Sequence, residues 1–167
     1  LQKIQKAMAK NKEKLDKTDL RILKHLQEDG CLSNLDLAAK VGLSPTPIFE
    51  RVKKLENAKV IKGYHAEIDP KALGLGLQTF MMISLSQTMG DAIPNFIRQI
   101  NAIPEIVECH HVTGSSDYIL KIIVEDIAAY ESLAMGTIRN IKEISAMTTM
   151  VILSTIKDSK VVPVNYE

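Results

Sequence analysis

Tryptophan is absent from this 167-residue chain, aromatic residues make up 4% of it, and cysteine occurs only as Cys31 and Cys109. The two cysteines are far apart and lack a C-x-x-C spacing. They indicate neither a disulfide framework nor a zinc knuckle, and both are expected to be reduced structural thiols. No apolar run approaches the roughly 18 uncharged residues that a membrane span requires. The lysine-rich start is not followed by the apolar core of a signal peptide, so the chain is expected in the cytoplasm. A glycine-rich phosphate loop is missing, as is a nucleophile, base and orienting residue at diagnostic spacing, which argues against an enzyme and against a bound cofactor. The run Glu108-Cys109-His110-His111 has the composition of a metal cluster. Strand alternation, however, sends Cys109 and His111 to one face and Glu108 and His110 to the other, and two ligands per face make a poor site.

The chain also lacks an overall charge of one sign, with a net +1. Cutting it after Asp69 separates 14 Lys and Arg against 10 Asp and Glu from 7 against 10, net +4 and −3. A basic first half suits a polyanionic partner for that half, since phosphate neutralisation supplies most non-specific nucleic-acid affinity. Residues 1–14 carry five lysines against Glu13 and read as a frayed helix or a DNA-tracking arm.

What is present is a succession of short periodic segments. Leu20, Ile22, Leu23 and Leu26 recur at helical spacing after Asp16 and Asp19, with Gly30 beyond the end. Ser33 offers a cap for a second, two-turn helix that stops at Gly42. Ser44 opens a third helix with Pro45 at its first position, and Ile48, Val52 and Leu55 form its buried stripe. Val60 to Ile68 reads as a short hairpin turned at Lys62-Gly63, and Asp69-Pro70 breaks the pattern.

The second half reads as a strand over 78–86, a helix through Ile93 to Ile100, a strand over 105–113 and another over 117–124. A helix through Tyr130, Ala134, Ile138 and Ile141 follows, then a last strand over 148–156. The fold class is therefore α+β: a helical N-terminal domain, then the ferredoxin-like β-α-β-β-α-β order. Helices cover one face of so small a sheet, so a homodimer over the other face is expected.

Two short helices joined by Val41-Gly42-Leu43-Ser44 have the dimensions of a helix-turn-helix. Opposite its buried stripe the third helix presents Thr46, Pro47, Glu50, Arg51 and Lys54. Arg51 suits a bidentate contact to guanine, and Lys53 and Lys54 suit phosphates. Glu50 can accept from cytosine N4 or orient Arg51, and Phe49 can meet a thymine methyl or lie half-buried at the helix edge. The N–H groups behind Ser44 can hold a phosphate. In the second half, Thr113, Gly114, Ser115 and Ser116 can present donors to a carboxylate and Asp117 an acceptor to an ammonium group. By spacing alone this is a tight hairpin turn.

The stretch Leu32-Ser33-Asn34-Leu35-Asp36-Leu37-Ala38-Ala39-Lys40-Val41-Gly42-Leu43-Ser44-Pro45-Thr46-Pro47, with Glu50-Arg51-Val52-Lys53-Lys54-Leu55-Glu56 and Ile61-Lys62-Gly63-Tyr64, closely resembles the Lrp/AsnC family of leucine-responsive regulators. The likeness runs from about Leu15 to Val164 and includes Glu108-Cys109-His110 and Val112-Thr113-Gly114. It implies a winged helix-turn-helix over 15–63, a hinge strand and linker over 64–76, and an effector-binding and oligomerisation domain of the RAM/ACT-like type over 77–167. It further implies double-stranded DNA as partner, dimers assembling to tetramers or octamers, and a nucleoid-associated place in the cytoplasm. The effector site it implies lies between dimers, using Gly114 to Asp117, Tyr118 and Thr149. Ser115 stands where leucine-responsive members have Asp, which argues against leucine itself among the amino acids. Lys59 stands where the family often has Gly, and a left-handed helix cap there would cost Lys about 1 kcal/mol. An architectural DNA binder that responds to no effector is the competing reading, and a regulatory subunit contacting protein through its helices a more distant one.

Overall fold

The structure, a computed structural model, describes residues 15–86 and 91–164. The basic arm expected over 1–14 lies outside them. Two compact units divide the chain: one of residues up to Ala66 together with the segment from Asp158, the other of Glu67–Lys157.

The first unit packs helices α1 (Lys17–Glu28), α2 (Asn34–Val41) and α3 (Pro45–Asn57). Each begins where a polar side chain or proline suits a helix start. Asp16 and Asp19 form a reciprocal capping box, Asp16 accepting from the Asp19 N–H at 2.8 Å and Asp19 from the Asp16 N–H at 3.2 Å. Ser33 accepts from the Asp36 N–H. Ser44 occupies the cap position of α3 without a side-chain hydrogen bond, and Pro45 supplies the fixed φ of the first turn. Between α2 and α3 the chain turns through Gly42 at φ 75°, a conformation glycine adopts without a Cβ penalty. Ile22, Leu37, Ala38, Val41, Ile48, Val52 and Leu55 make the core.

The end of α3 is closed by a left-handed residue that is not glycine. Lys59 has φ 57°; its N–H reaches the Glu56 carbonyl, and the N–H groups of Val60 and Ile61 both reach the Leu55 carbonyl. This is the Schellman closure, made here at the expense of a lysine. It also bears on the hairpin expected over 60–68, which is not formed: no strand is assigned between Val60 and Asp69. Val60 and Ile61 have spent their donors on the helix end, so they cannot start a ladder. Tyr64 instead lies against Gly30 and donates to Glu56 at 3.1 Å. Burial, with Glu56 beside it, pushes the Tyr64 hydroxyl up from its ordinary pKa.

The second unit follows a short 3-10 turn (Pro70–Leu73) and has the order β1 (Leu77–Leu85), α4 (Ala92–Ile100), β2 (Ile106–His111), β3 (Tyr118–Val124), α5 (Ile127–Gly136), a 3-10 turn (Ile138–Asn140) and β4 (Ile144–Val151). The antiparallel sheet runs β2-β3-β1-β4, the ferredoxin-like arrangement. Met81, Ile83, Leu85, Tyr118, Leu120, Ile122 and Val124 meet Phe96 and Ile100 of α4 and Ala134 of α5 in one core. The opposite face carries Phe80, Met82, Ile119 and Ile123, all half-buried, with Met150 exposed, and neither α4 nor α5 covers it.

Two boundaries differ from those the periodicity suggests. Helix α5 stops at Gly136 rather than running through Ile141, because Gly and Thr137 are weak helix formers and Asn140 ties its side chain back to the Gly136 carbonyl. Strand β4 spans 144–151 rather than 148–156, because its register is fixed by β1, with Leu85 opposite Ile144 and Thr79 opposite Val151, and β1 extends only two residues beyond Thr79, the last bond running from the Ile152 N–H to the Gln78 carbonyl.

The left-handed cap generates a prediction. Replacing Lys59 with Gly relieves the Cβ conflict and raises stability by about 1 kcal/mol, whereas Lys59→Val, β-branched at the same φ, lowers it by at least as much. Urea unfolding midpoints of the two variants against the parent protein check both signs.

Candidate nucleic-acid interface and effector site

The helix-turn-helix face is built on α3. Its buried stripe leaves Thr46, Glu50, Lys53 and Lys54 exposed and Pro47 half-buried. Lys53 forms an ion pair with Glu56 at 3.4 Å and lies 5.8 Å over the Phe49 ring, which is half exposed at the edge of the core. Phe49, Lys53 and Glu56 therefore form a flank on the side of Tyr64, and Thr46, Glu50 and Lys54 form the outward face.

Arg51 stands on the other flank, towards α1. Its Nη1 is 2.6 Å from Asp16 Oδ2 and 2.6 Å from Asp19 Oδ1. Those are the two carboxylates of the α1 capping box, each using its second oxygen. Asp19 is 3% exposed, so its charge has little water around it and the guanidinium supplies the compensation. The pairing holds Arg51 above its ordinary pKa, through Asp16 first and Asp19 second. The Asp19 N–H, followed by Arg51, holds the Asp16 carboxyl below the usual carboxylate range. An arginine expected from its sequence position to contact guanine is thus engaged in fixing α3 against α1. A base contact by the same group would compete with leaving Asp19 unpaired.

In the second unit, the turn through Thr113, Gly114, Ser115 and Ser116 closes a four-residue hairpin loop, with the Val112 N–H donating to the Asp117 carbonyl at 2.9 Å. Gly114 has φ 133°, open to glycine, and a Cβ there would meet no atom within 4 Å. Asp117 is drawn into the sheet: its N–H donates to the Ile83 carbonyl at 2.9 Å and its Oδ2 accepts from the Leu85 N–H at 2.8 Å, beside the register shift of β1 on β4. Tyr118, 6% exposed, is a core residue, with its ring 4.8 Å from Phe96 and stacked 4.9 Å from His111. Burial pushes its hydroxyl pKa up. Thr149 is exposed on β4, where its hydroxyl is hydrogen-bonded to that of Tyr130 on α5.

The register separates these groups. Asp117 is level with Ser84 and Thr149 with Met81, two strands over and three residues along. That is roughly 14 Å between Cα atoms. Within one chain, the loop after β2 and the Tyr130 and Thr149 pair are therefore two places. On β2 the alternation is as the sequence indicates, with Cys109 and His111 opposite Leu120 and Tyr118, and Glu108 and His110 opposite Lys121 and Ile119. Glu108 joins His110 at 3.0 Å and Lys121 at 3.2 Å; His110 first, then Lys121, holds its carboxyl below the ordinary value.

The Arg51 geometry has two measurable consequences. Arg51→Ala strands the Asp19 charge and destabilises the N-terminal unit by about 2–3 kcal/mol, discounted for the partial exposure of the arginine. Because the Asp16 pKa is lowered on folding, its contribution is present above about pH 4 and is lost as the pH falls through the folded value. Unfolding followed from pH 7 to pH 3 is therefore expected to lose stability below pH 4 in the parent protein, with a shallower fall in Arg51→Ala.

Comparison with known proteins agrees with both units. Residues 15–62 match the family model described as winged helix-turn-helix DNA-binding, and residues 78–162 that of the Lrp/AsnC ligand binding domain. The leucine-responsive regulatory protein of Haemophilus influenzae is 40% identical over 156 residues, covering 93% of this chain and 94% of the relative. The transcriptional regulator AzlB of Bacillus subtilis is 38% identical over 151 residues, covering 90% and 96%. Among solved structures, a transcriptional regulator of Neisseria meningitidis in complex with L-Met superposes with a TM-score of 0.87 at 34% identity, covering 91% of this chain and 98% of that one. Escherichia coli AsnC gives 0.81 at 27% identity, covering 89% and 99%. With a DNA-binding helix-turn-helix, a ligand-binding domain and transcriptional regulators rather than enzymes as relatives, this chain belongs to the Lrp/AsnC family.

Proposed function

We propose that this protein regulates transcription by sequence-specific binding to double-stranded DNA, and that an amino acid adjusts its DNA occupancy by changing how copies assemble. The observation that carries the reading is the division of labour within one chain: a clamped α3 with Thr46, Glu50 and Lys54 outward, and a second unit whose sheet leaves Phe80, Met82, Ile119, Ile123 and Met150 uncovered. An apolar sheet face of that kind suits a second copy of the chain. Two copies then carry two reading helices to successive major grooves, with Thr46, Glu50 and Lys54 towards base edges. Lys53 and the N–H groups at the start of α3 behind Ser44 meet phosphates there. Residues 15–63 act as the reading head, 64–76 as hinge and linker, and 77–167 as the effector and assembly domain, at work on the nucleoid in the cytoplasm.

The effector chemistry rests on the loop from Thr113 to Asp117. Backbone N–H groups around Gly114 and the hydroxyls of Ser115 and Ser116 suit an α-carboxylate, and the second oxygen of Asp117 suits an ammonium group. Tyr130 and Thr149 supply hydroxyls some 14 Å away. A single amino acid touching both groups would take them from different copies, so occupancy would depend on assembly and assembly on occupancy. The Neisseria meningitidis relative, solved as an L-Met complex, makes methionine the first amino acid to try.

The test is DNA affinity and sedimentation of the full chain, with and without each of the twenty amino acids. One or a few are expected to shift both together, the affinity by about 5–150-fold. DNA binding that no amino acid alters would overturn the effector reading. A charge in the uncovered face, Met82→Lys, is expected to leave each chain folded but to give monomers by sedimentation, with weaker DNA binding; an unchanged assembly would contradict the proposed pairing.

A further inference from the structure

The chain passes between its two units twice. It leaves the N-terminal unit after Ala66, and after β4 it returns, so that the segment from Asp158 belongs with the helices again. The contact that fixes this return is specific. The Gln27 side chain on α1 donates through Nε2 to the Val162 carbonyl at 3.1 Å, and its Oε1 accepts from the Val162 N–H at 2.7 Å. One amide side chain thus satisfies both polar groups of one backbone residue, in the reciprocal way two strand residues pair. Gln27 is half-buried, as is Val164 just beyond the contact. Between β4 and this point the segment has no regular structure and, beyond the half-buried Ile152, is exposed, Leu153 and Ile156 almost completely so.

We infer that Gln27 is a docking point for the C-terminal segment of this same chain, and that the docked segment is a second tether joining the ligand-binding domain to the reading head. The tether ends on α1, the helix whose capping box holds Arg51 of α3. The second unit is thus anchored to the reading head at both of its ends, after Ala66 and before Val162, and a two-point attachment lowers the cost of engaging two half-sites together without adding a contact to DNA. This role rests on the proposed binding of paired half-sites; the docking itself does not.

Two variants of the full chain test it. Gln27→Ala removes the clasp from the helix side, and Val162→Pro removes the backbone donor from an exposed segment where folding does not depend on it. Amide hydrogen exchange is expected to find the Val162 N–H protected in the parent protein and to exchange about tenfold faster in Gln27→Ala. Core amides of α2 should keep their rates. An unprotected Val162 in the parent, or protection unchanged in Gln27→Ala, overturns the docking. Affinity is then measured for DNA with two half-sites and with one. Both variants are expected to lose about three- to tenfold on the paired site and nothing on the single site. Equal affinities for parent and variants on the paired site overturn the tether. Failure of the parent to bind DNA would count against the proposed function instead, leaving the exchange result to decide the docking.

Discussion

A buried carboxylate has to be compensated, and in the reading unit that requirement organises everything around it. Asp19 faces inward because it lies three residues before Ile22 on the same side of α1, and its charge is met by Arg51 from a helix more than thirty residues later. The same guanidinium nitrogen also reaches Asp16, so the cation closes the capping box at the start of α1. The rotation of α3 about its own axis follows from this attachment and from the stripe of Ile48, Val52 and Leu55. With one flank tied to α1 and the other occupied by Phe49, Lys53 and Glu56, the outward face is narrow. A narrow and rigid face suits base reading, where a displacement of a side chain by an ångström changes which base edge it meets.

The second unit follows a different constraint. A four-stranded sheet with helices on one face satisfies its backbone but leaves a face of intermediate polarity, in which Glu108, His110 and Lys121 sit beside Phe80, Met82, Ile119 and Ile123. On the proposed pairing, such a mixture would also align a second copy docked there, since charged groups at the margin of an apolar patch penalise misaligned pairings. The fold thus divides its tasks: one unit holds a DNA-binding helix still, and the other carries the ligand-binding domain.

How much of this can be read in the sequence depends on how local each cause is. The helices of the first unit are announced by Asp16, Ser33, Gly42 and the Ser44-Pro45 step, each acting within a few residues. The βαββαβ order follows from alternation, which also places Tyr118 with Leu120 and Ile122 on the inward side, where its ring is found. The features that the sequence does not announce have non-local causes. The expected hairpin after α3 is lost because Val60 and Ile61 donate to Leu55, and the limits of β4 are set by β1, nearly seventy residues earlier. Arg51 looks like a base reader on the helical wheel of α3 alone. The signal for the ion pair it makes lies in α1, where Asp19 falls on the apolar side with Ile22 and Leu26 and calls for a cation. The separation of Asp117 from Thr149 likewise emerges only from strand order.

The most direct test of the account is a crystal structure of the full chain bound to DNA carrying two half-sites. It should show α3 in the major groove with Thr46, Glu50 and Lys54 facing base edges, while Arg51 keeps both its contacts to Asp16 and Asp19. An Arg51 released from those carboxylates and paired with guanine, with Asp19 left to other partners, would contradict the view that this ion pair sets the reading helix.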